Sequence, residues 1–274
     1  MRITAIPLLG LALAAMILPV FPASAATTCT GGQLANQFLN VSTANNRYRV
    51  NNNFYNPPSN GGKLCIDYLY ENTRTNFTVR NVNGASVPTN GAPTGYPSIY
   101  AGCHYGACST GSGMPVRVSA LTGATSSWSI YTANVGGAWN ASYDIWFNTT
   151  ASVPGVADGA ELMIWINKRG AIQPAGQVIA SNVSIAGRSW DVWAGRIPGG
   201  NWNVISYVAR SNTNAVQNLN LRAFMLDASR RNNPVTGRPN LNTNWYLTSI
   251  QAGFEVWSGG GGLRNDYFNT NISK

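Results

Sequence analysis

Short runs in which apolar and polar residues alternate recur along most of the chain. Examples are YRVNNNFYN, KLCIDYLYEN, FTVRNVNG, SSWSIYTAN, SYDIWFN, ELMIWIN, GQVIASNVSI, RSWDVWAG and WNVISYVA. Asn, Gly and Pro residues separate these runs, at the interval typical of antiparallel strands joined by turns. The pattern therefore predicts an all-β protein, either a sandwich or a barrel.

Two stretches depart from this pattern. AVQNLNLRAFMLDASRRN begins at Ala215 and places Leu219, Ala223 and Leu226 at helical spacing, which predicts the single helix. We expect this helix to pack on the convex back of the sandwich. NGAPTGYPSIYAGCHYGAC is rich in turn residues and predicts a long loop held by its own disulfide.

Two of the apolar strand-like runs each contain one glutamate, where an unpaired charge is costly. In ELMIWIN the alternation puts Glu161, Met163 and Trp165 on one face, and in SIQAGFEVW it puts Glu255 and Trp257 on one face. If both strands belong to one sheet, two carboxylates flanked by tryptophans face the same groove. Such a pair suits hydrolysis of a glycosidic bond, since one carboxyl donates a proton and the other attacks or activates water.

Acidic residues are scarce, with three glutamates and six aspartates in the whole chain. A single strand glutamate more often lies solvated at a strand end. Two glutamates at matching places in apolar runs, with a tryptophan following each, favour the catalytic interpretation.

The first 25 residues have the organisation of a secretory signal. Arg2 supplies the positive start, Leu8 to Leu18 is apolar, and Ala23-Ser24-Ala25 is a cleavage site. An uncleaved anchor is disfavoured by the shortness of the apolar run. We therefore expect residues 1–25 to be removed, and residues 26–274 to form a single secreted domain that is not membrane-bound.

Four cysteines in an exported chain predict two disulfides, although sequence alone permits three pairings. The short spacing of Cys103 and Cys108 favours a bond between them, which leaves Cys29 with Cys65. Closing the longer loop stabilises the fold by roughly 4 kcal/mol in the chain-entropy model. A metal site is disfavoured because His104 is the only histidine and no C-x-x-C pair is present.

The formal net charge of +9 raises the possibility of a nucleic-acid partner. The basic residues are scattered along the chain, however, and form no concentrated stripe. A neutral polysaccharide substrate with no nucleic-acid partner is favoured.

Four segments resemble glycoside hydrolase family 12, in the same order and at similar spacing. They are NGAPTGYPSIYAGCHYGAC, NASYDIWF, ELMIWINKRGAIQPAG and NWYLTSIQAGFEVW, and the likeness runs from about Val50 to Phe268. The resemblance implies a β-jelly roll of two antiparallel sheets with a concave cleft, acting as a retaining endoglucanase on β-1,4-glucan. By motif match, Glu161 is the nucleophile, Glu255 is the general acid/base, and Asp144 contacts the nucleophile. The resemblance also supports the disulfide pairing above.

Sugar rings pack their C–H faces on aromatic rings, and their hydroxyls need polar partners. The candidates for sugar binding are Asn53, Tyr55, Met163, Trp165, Gln173, Pro174 and Trp257. The two tryptophans serve equally well as core residues, and Asp144 equally well as a structural aspartate. The family often has Asn-Asn-x-Trp where this chain has NNFY, so Tyr55 replaces a platform tryptophan. NNPVTGRPNLNTN is longer than the family's usual lead into the last strand.

The sequence thus predicts a monomeric, secreted endo-β-1,4-glucanase that needs no cofactor or metal and acts on cellulose or mixed-linkage β-glucan. Alternatives are a xyloglucan-specific enzyme, a xylanase of a related jelly roll, and a non-catalytic glycan-binding protein. No G-x-S-x-G motif of a serine hydrolase accompanies His104, the only histidine, so His104 is interpreted as structural. Among six N-x-S/T sequons, the one at Asn140 lies awkwardly close to Asp144 for a glycan.

Overall fold

The computed structural model describes residues 24–29, 47–71, 74–153, 155, 157–197, 199–200 and 202–274. The predicted signal segment lies outside the described residues except at its last two positions. In chain order the strands are β1 (Ser24–Thr28), β2 (Arg49–Asn51), β3 (Lys63–Glu71), β4 (Arg74–Val82), β5 (Ser98–His104), β6 (Ala107–Cys108), β7 (Val116–Arg117), β8 (Gly123–Tyr131), β9 (Gly137–Asn148), β10 (Ala160–Arg169), β11 (Gln177–Ile185), β12 (Arg188–Arg196), β13 (Asn203–Ala209), β14 (Ala215–Asn220), β15 (Tyr246–Gly259) and β16 (Arg264–Ser273). One α-helix, α1 (Leu221–Ala228), and a short 3-10 helix, Val118–Ala120, complete the described elements.

These strands form two sheets that pack face to face. The smaller sheet has the order β1-β3-β4-β16-β8-β14, and the larger has the order β11-β12-β13-β10-β9-β15-β5-β2, with β6 added to β5 and β7 to β15. Most pairs are antiparallel, whereas β10 and β13 pair in parallel. The predicted all-β jelly roll is confirmed, as a two-layer sandwich and not a closed barrel.

Large aromatic side chains fill the space between the sheets. The Trp128 ring from the smaller sheet lies 5.2 Å from the Tyr143 ring and 6.0 Å from the Phe254 ring of the larger sheet. Phe77 reaches the same Phe254 ring at 5.9 Å. All four are almost completely buried, and each such side chain contributes about 2 kcal/mol of hydrophobic stabilisation. This core fixes which face of the larger sheet remains open.

Alternation along β10 divides its residues between the two faces of the larger sheet. Leu162 and Ile164 belong to the core between the sheets. Met163 and Trp165 belong to a separate buried cluster. The face assignment predicted for ELMIWIN is therefore confirmed, and Glu161 lies on the face turned away from the smaller sheet.

The predicted helix is shorter than its sequence pattern indicated. Ala215–Asn220 is strand β14, paired with β8 at the edge of the smaller sheet, and the helix begins only at Leu221. The helical spacing from Leu219 was misleading, because the side chains that α1 buries completely are Leu221, Phe224, Met225 and Ala228. An unpaired sheet edge competes with helix formation for the same backbone groups.

Helix α1 was expected on the convex back of the sandwich, but it packs on the face of the larger sheet that is turned away from the cleft, and its buried residues join the core between the two sheets. The Phe224 ring contacts the Trp190 and Tyr207 rings at 5.1 Å each. Trp190 on β12 and Tyr207 on β13 point to the face of the larger sheet that is opposite the cleft. None of the helices in the described ranges is long and apolar enough to cross a membrane.

The predicted loop around the second disulfide is a strand hairpin. SIYAGCH forms β5, and AC forms β6, with Cys103 opposite Cys108. A disulfide joins these two residues, and a second joins Cys29 to Cys65. Both predicted pairings are confirmed. The prediction of a loop was wrong for residues 98–108, whereas residues 90–97 belong to none of the strands.

Candidate active site

Strand register brings three carboxyls onto one face of the larger sheet. β9 lies between β10 and β15, where Glu161 is the partner of Trp146 on β9 and Glu255 is the partner of Asn140 on β9. Asp144 lies between these two β9 residues, two positions from Trp146 and four from Asn140. Side chains at paired positions of neighbouring strands point to the same face. The two predicted catalytic glutamates and Asp144 therefore face a common cleft.

Glu161 is buried, with 7% of its surface exposed. The Trp202 indole Nε1 donates a hydrogen bond of 2.9 Å to its Oε2. Burial raises the pKa of Glu161 from 4.5 to about 7, while the bonds from Trp202 and Asp144 lower it. Donors therefore oppose the desolvation penalty on the charged form.

Glu255 is half-buried and is held by Asn140 at two points. The Asn140 Nδ2 donates to the Glu255 side-chain Oε2, and the Glu255 backbone N–H donates to Asn140 Oδ1 at 3.1 Å. The Ser142 hydroxyl donates to the same Oδ1 at 3.1 Å. Burial raises the pKa of Glu255 to about 8, the Asn140 bond lowers it, and the charge of Glu161 raises it.

Asp144 is 6% exposed and lies within reach of both glutamates. Its pKa is raised well above the ordinary value, first by burial and then by the charges of Glu161 and Glu255. A protonated Asp144 donates to Glu161, and this bond lowers the pKa of Glu161. One proton shared in this way lets two close carboxyls share a buried site.

The surroundings of Glu161 and Glu255 shift their pKa values differently, as a nucleophile and an acid require. Hydrogen bonds from Trp202 and Asp144 lower the pKa of Glu161, whereas the charge of Glu161 raises the pKa of Glu255. These contacts favour the charged form at Glu161 and the protonated form at Glu255. A charged carboxylate can attack while its neighbour still has a proton to give.

Two tyrosines, Tyr55 and Tyr105, lie near the carboxyls. Tyr55 has 38% of its surface exposed, and desolvation of its hydroxyl followed by the charges of Glu255, Glu161 and Asp144 raises its pKa. Tyr105, on the turn between β5 and β6, has its pKa raised by burial and then by Glu161 and Asp144. The replacement residue Tyr55 thus lies at the mouth of the cleft, close to the predicted chemistry.

The predicted apolar sugar-binding residues form a buried cluster on the cleft face. Met163, Trp165 and Trp257 are 5%, 2% and 3% exposed. The two indole rings lie 6.4 Å apart, and Trp257 Nε1 donates to the Gly91 carbonyl at 2.7 Å. They form part of the floor under the cleft, and direct contact with sugar stays a prediction for each.

The remaining sugar-binding candidates lie in different surroundings. Asn53 is buried, has a left-handed backbone with φ 39°, and donates its backbone N–H to Asn51 Oδ1 at 2.9 Å. Beyond the end of β10, Gln173 is exposed and Pro174 is buried. Within the described ranges, no side-chain hydrogen bond joins these three residues to the cleft carboxyls, and their role stays a prediction.

Sequence reasoning identified Asp144 but missed two other residues that contact the glutamates directly, Trp202 and Asn140. Trp202 precedes β13, and nothing in its own segment indicates that β13 will pair with β10. Asn140 was noticed only as a glycosylation sequon, yet it is fully buried. The one available signal was alternation along NASYDIWF, which puts Asn140 and Asp144 on the same face.

His104 is buried among aromatic side chains of the cleft face, and its structural role stays a prediction. Its ring contacts the Tyr105 and Trp146 rings at 4.5 and 5.7 Å. Burial lowers the pKa of His104 to about 3, so the imidazole is neutral at physiological pH. Among the described residues, no group of three or more His, Cys, Asp or Glu side chains is arranged to hold a metal ion.

An open pocket of about 470 Å³ lies at the far end of β9 and β10, lined by residues that include Trp139, Lys168 and Arg169. No carboxylate lines it. The carboxyl chemistry therefore belongs to the cleft face and not to this pocket.

A two-sheet jelly roll with unequal carboxyls on its concave face is the architecture of a glycoside hydrolase. Residues 46–273 match the model described as glycosyl hydrolase family 12. Probable cellulase Cel12b of Mycobacterium tuberculosis is 36% identical over 163 residues, which are 60% of this chain and 99% of that protein. The chain belongs to glycosyl hydrolase family 12, and it is a glycoside hydrolase of the endoglucanase type.

Solved structures agree with this assignment. Endoglucanase cel12A from Rhodothermus marinus has a TM-score of 0.77 and 35% identity, over 91% of this chain and 99% of that one. A native family 12 xyloglucanase from Bacillus licheniformis has a TM-score of 0.73 and 27% identity, over 90% of this chain and 100% of that one.

Proposed function

We propose that this protein is a secreted endo-β-1,4-glucanase that cleaves internal bonds of cellulose or mixed-linkage β-glucan with retention of configuration. The observation that carries the proposal is the inequality of Glu161 and Glu255 on one cleft face. Each has its own donor, Trp202 for one and Asn140 for the other. Unequal carboxyls of this kind support an assignment of nucleophile and acid.

In the first step, a carboxylate oxygen of Glu161 attacks the anomeric carbon and forms a glycosyl ester. Glu255 gives its proton to the departing glycosidic oxygen, so the leaving chain departs as a neutral alcohol. In the second step, Glu255 takes a proton from water as the water oxygen attacks the same carbon. Glu161 is released as a carboxylate, Glu255 is again protonated, and two inversions give net retention.

The buried cleft supports both steps electrostatically. Asp144, as a protonated neighbour, donates to Glu161 and limits repulsion among three carboxyls. The hydroxyls of Tyr55 and Tyr105 lie near the three carboxyls. Burial and the charges of these carboxyls raise the pKa of both phenols, so both stay protonated. Neutral phenols can donate to sugar hydroxyls or to the developing charge.

Xyloglucan is the second candidate substrate, because a solved family 12 relative is named a xyloglucanase. The test is the release of oligosaccharides from barley β-glucan, carboxymethylcellulose, xyloglucan and xylan by the purified chain lacking residues 1–25. We expect activity on one or more of the first three, abolished in Glu255→Gln. Binding without hydrolysis of any polymer would instead indicate a glycan-binding protein.

Secretion is part of the same proposal. Two disulfides support an oxidising compartment, and the first 25 residues have the pattern of a signal. Expression of the full chain in an exporting host should yield a protein in the medium whose N-terminal sequence begins at Ala26. Retention in the cell with an intact N-terminus would contradict this.

A further inference from the structure

The hydrogen bond from Trp202 to Glu161 follows from the pairing of two strands. Trp202 immediately precedes β13, which runs parallel to β10 with Asn203 opposite Ala160 and Val204 opposite Glu161. This register delivers the indole to the carboxylate, where Nε1 donates to Oε2 at 2.9 Å. The donor thus comes from the strand neighbouring the glutamate's own strand.

A second aromatic ring orients the Trp202 indole. Trp146 contacts it edge to face, with ring centroids 5.5 Å apart and an interplanar angle of 63°. Trp146 is itself the register partner of Glu161 on β9. The indole is therefore fixed by packing on one side and by its hydrogen bond on the other.

A cluster of three buried asparagines, Asn203, Asn233 and Asn240, braces the chain on either side of Trp202. Asn203 Nδ2 donates to the Asn240 carbonyl at 3.1 Å. Asn233 Nδ2 donates to Asn240 Oδ1 at 2.9 Å and to the Gly195 carbonyl at 2.7 Å. Both ends of the β12–β13 connection are thus tied to NNPVTGRPNLNTN, the stretch noted as longer than usual.

The titratable groups that face Glu161 come from several elements. Asp144 and Glu255 are carboxyls on β9 and β15, and Tyr55 and Tyr105 are phenols with raised pKa values. The two carboxyls change charge as pH changes, whereas the phenols stay protonated and His104 stays neutral, since burial lowers its pKa to about 3. Unlike Asp144, the indole N–H can donate to Glu161 at every working pH.

We propose that Trp202 is a positioning residue that orients Glu161 and favours its charged form, and that the three-asparagine cluster holds Trp202 in place. The inference rests on the proposed role of Glu161 as nucleophile. A donor to a carboxylate favours ionisation and restricts rotation of the group. Asp144 supplies a similar hydrogen bond only while it is protonated. At pH values at which Asp144 is ionised, the Trp202 indole still donates to Glu161.

The test is Trp202→Phe, which keeps an aromatic ring and removes the N–H. We expect the acidic limb of kcat/KM against pH to move to higher pH by about one unit, since this limb reports ionisation of the nucleophile in the free enzyme. The matched control is Trp190→Phe, which loses an indole bond of 3.0 Å to the Ile185 carbonyl in the core. Its acidic limb should stay in place, although its melting temperature should fall.

Two further measurements keep the inference testable if Trp202→Phe folds poorly. In the unsubstituted protein, the Trp202 indole N–H resonance should titrate at the pH of the acidic limb. Asn240→Ala should shift that limb in the same direction by a smaller amount. The inference is overturned if the acidic limb of kcat/KM does not move in the folded Trp202→Phe variant. It is also overturned if the Trp202 indole N–H resonance does not change with pH.

Failure of the proposed function has a different outcome. Glu161→Ala should lose hydrolysis and recover turnover with added azide, which replaces the missing nucleophile and gives a glycosyl azide. If Glu161→Ala hydrolyses glucan at the original rate, the assignment of the nucleophile is wrong. If Glu161→Ala is inactive and azide rescues it while Trp202→Phe leaves the acidic limb unmoved, only the role of Trp202 is wrong.

Discussion

Asn140 contacts Glu255 at both its side chain and its backbone. The amide Nδ2 donates to Glu255 Oε2, and the amide Oδ1 accepts the Glu255 backbone N–H at 3.1 Å. The two residues are register partners on β9 and β15. A single neutral side chain therefore both orients the proposed acid and lowers its pKa.

Asn140→Ala should move the basic limb of the pH–rate profile to higher pH. The bond from Asn140 favours the charged form of Glu255, so its loss raises the pKa of Glu255 further, by about one unit. The kcat should also fall, because the acid is less well oriented. The profile of kcat/KM on soluble β-glucan measures the shift.

Asn148→Ala is the matched control for this prediction. Asn148 lies on the same strand and donates to the Ser152 carbonyl at 2.8 Å, away from the carboxyls. Its basic limb should stay where it is in the unsubstituted protein. A basic limb that is equal in both variants would argue against Asn140 as a partner of the acid.

Glu161→Gln should stabilise the protein at alkaline pH. Folding raises the pKa of Glu161 from 4.5 to about 7, so this group's favourable contribution is complete below pH 4.5 and is lost as pH rises through 7. Glutamine does not ionise and avoids that loss, which is about 3 kcal/mol at pH 9. Urea unfolding at pH 4 and pH 9 measures the difference in free energy of unfolding between Glu161→Gln and the unsubstituted protein. If this difference is the same at both pH values, the burial argument is contradicted.

The two disulfides should affect stability and activity differently. Cys29 and Cys65, 36 positions apart, tie β1 to β3 in the smaller sheet, and the Cys29→Ser, Cys65→Ser variant should lose about 4 kcal/mol with little change in kcat. Cys103 and Cys108, 5 apart, close the hairpin that carries Tyr105 to the carboxyls.

The Cys103→Ser, Cys108→Ser variant should lose only about 2 kcal/mol but show a clear rise in KM or fall in kcat. Thermal unfolding and kinetics on β-glucan, both without reductant, compare the two pairs. Equal losses of activity in both variants would mean that the hairpin does not support the cleft.

The sequence predicted those features that depend on local alternation. The shared face of Glu161, Met163 and Trp165 follows from the period of a strand, and the structure has it. Features that depend on which strands become neighbours were not predictable. Trp202 reaches Glu161 only because β13 pairs with β10, and Ala215–Asn220 is a strand only because β8 offers it an edge.

The burial of Trp165 and Trp257 illustrates the same limit. Alternation put both on the cleft face, which the structure bears out in a common buried cluster. How far each ring is covered depends on residues distant in sequence, such as Gly91, whose carbonyl accepts the Trp257 N–H. A pattern of period two identifies the face but not the depth of a side chain within it.

The most direct test of the proposed mechanism is the configuration of the first product. Proton NMR of a β-1,4-gluco-oligosaccharide during the first minutes of hydrolysis distinguishes the two anomers before they equilibrate. Double displacement through Glu161 predicts that the β-anomer appears first and the α-anomer only later, by mutarotation. Initial release of the α-anomer would mean direct attack by water, and it would contradict the role of Glu161 as a nucleophile.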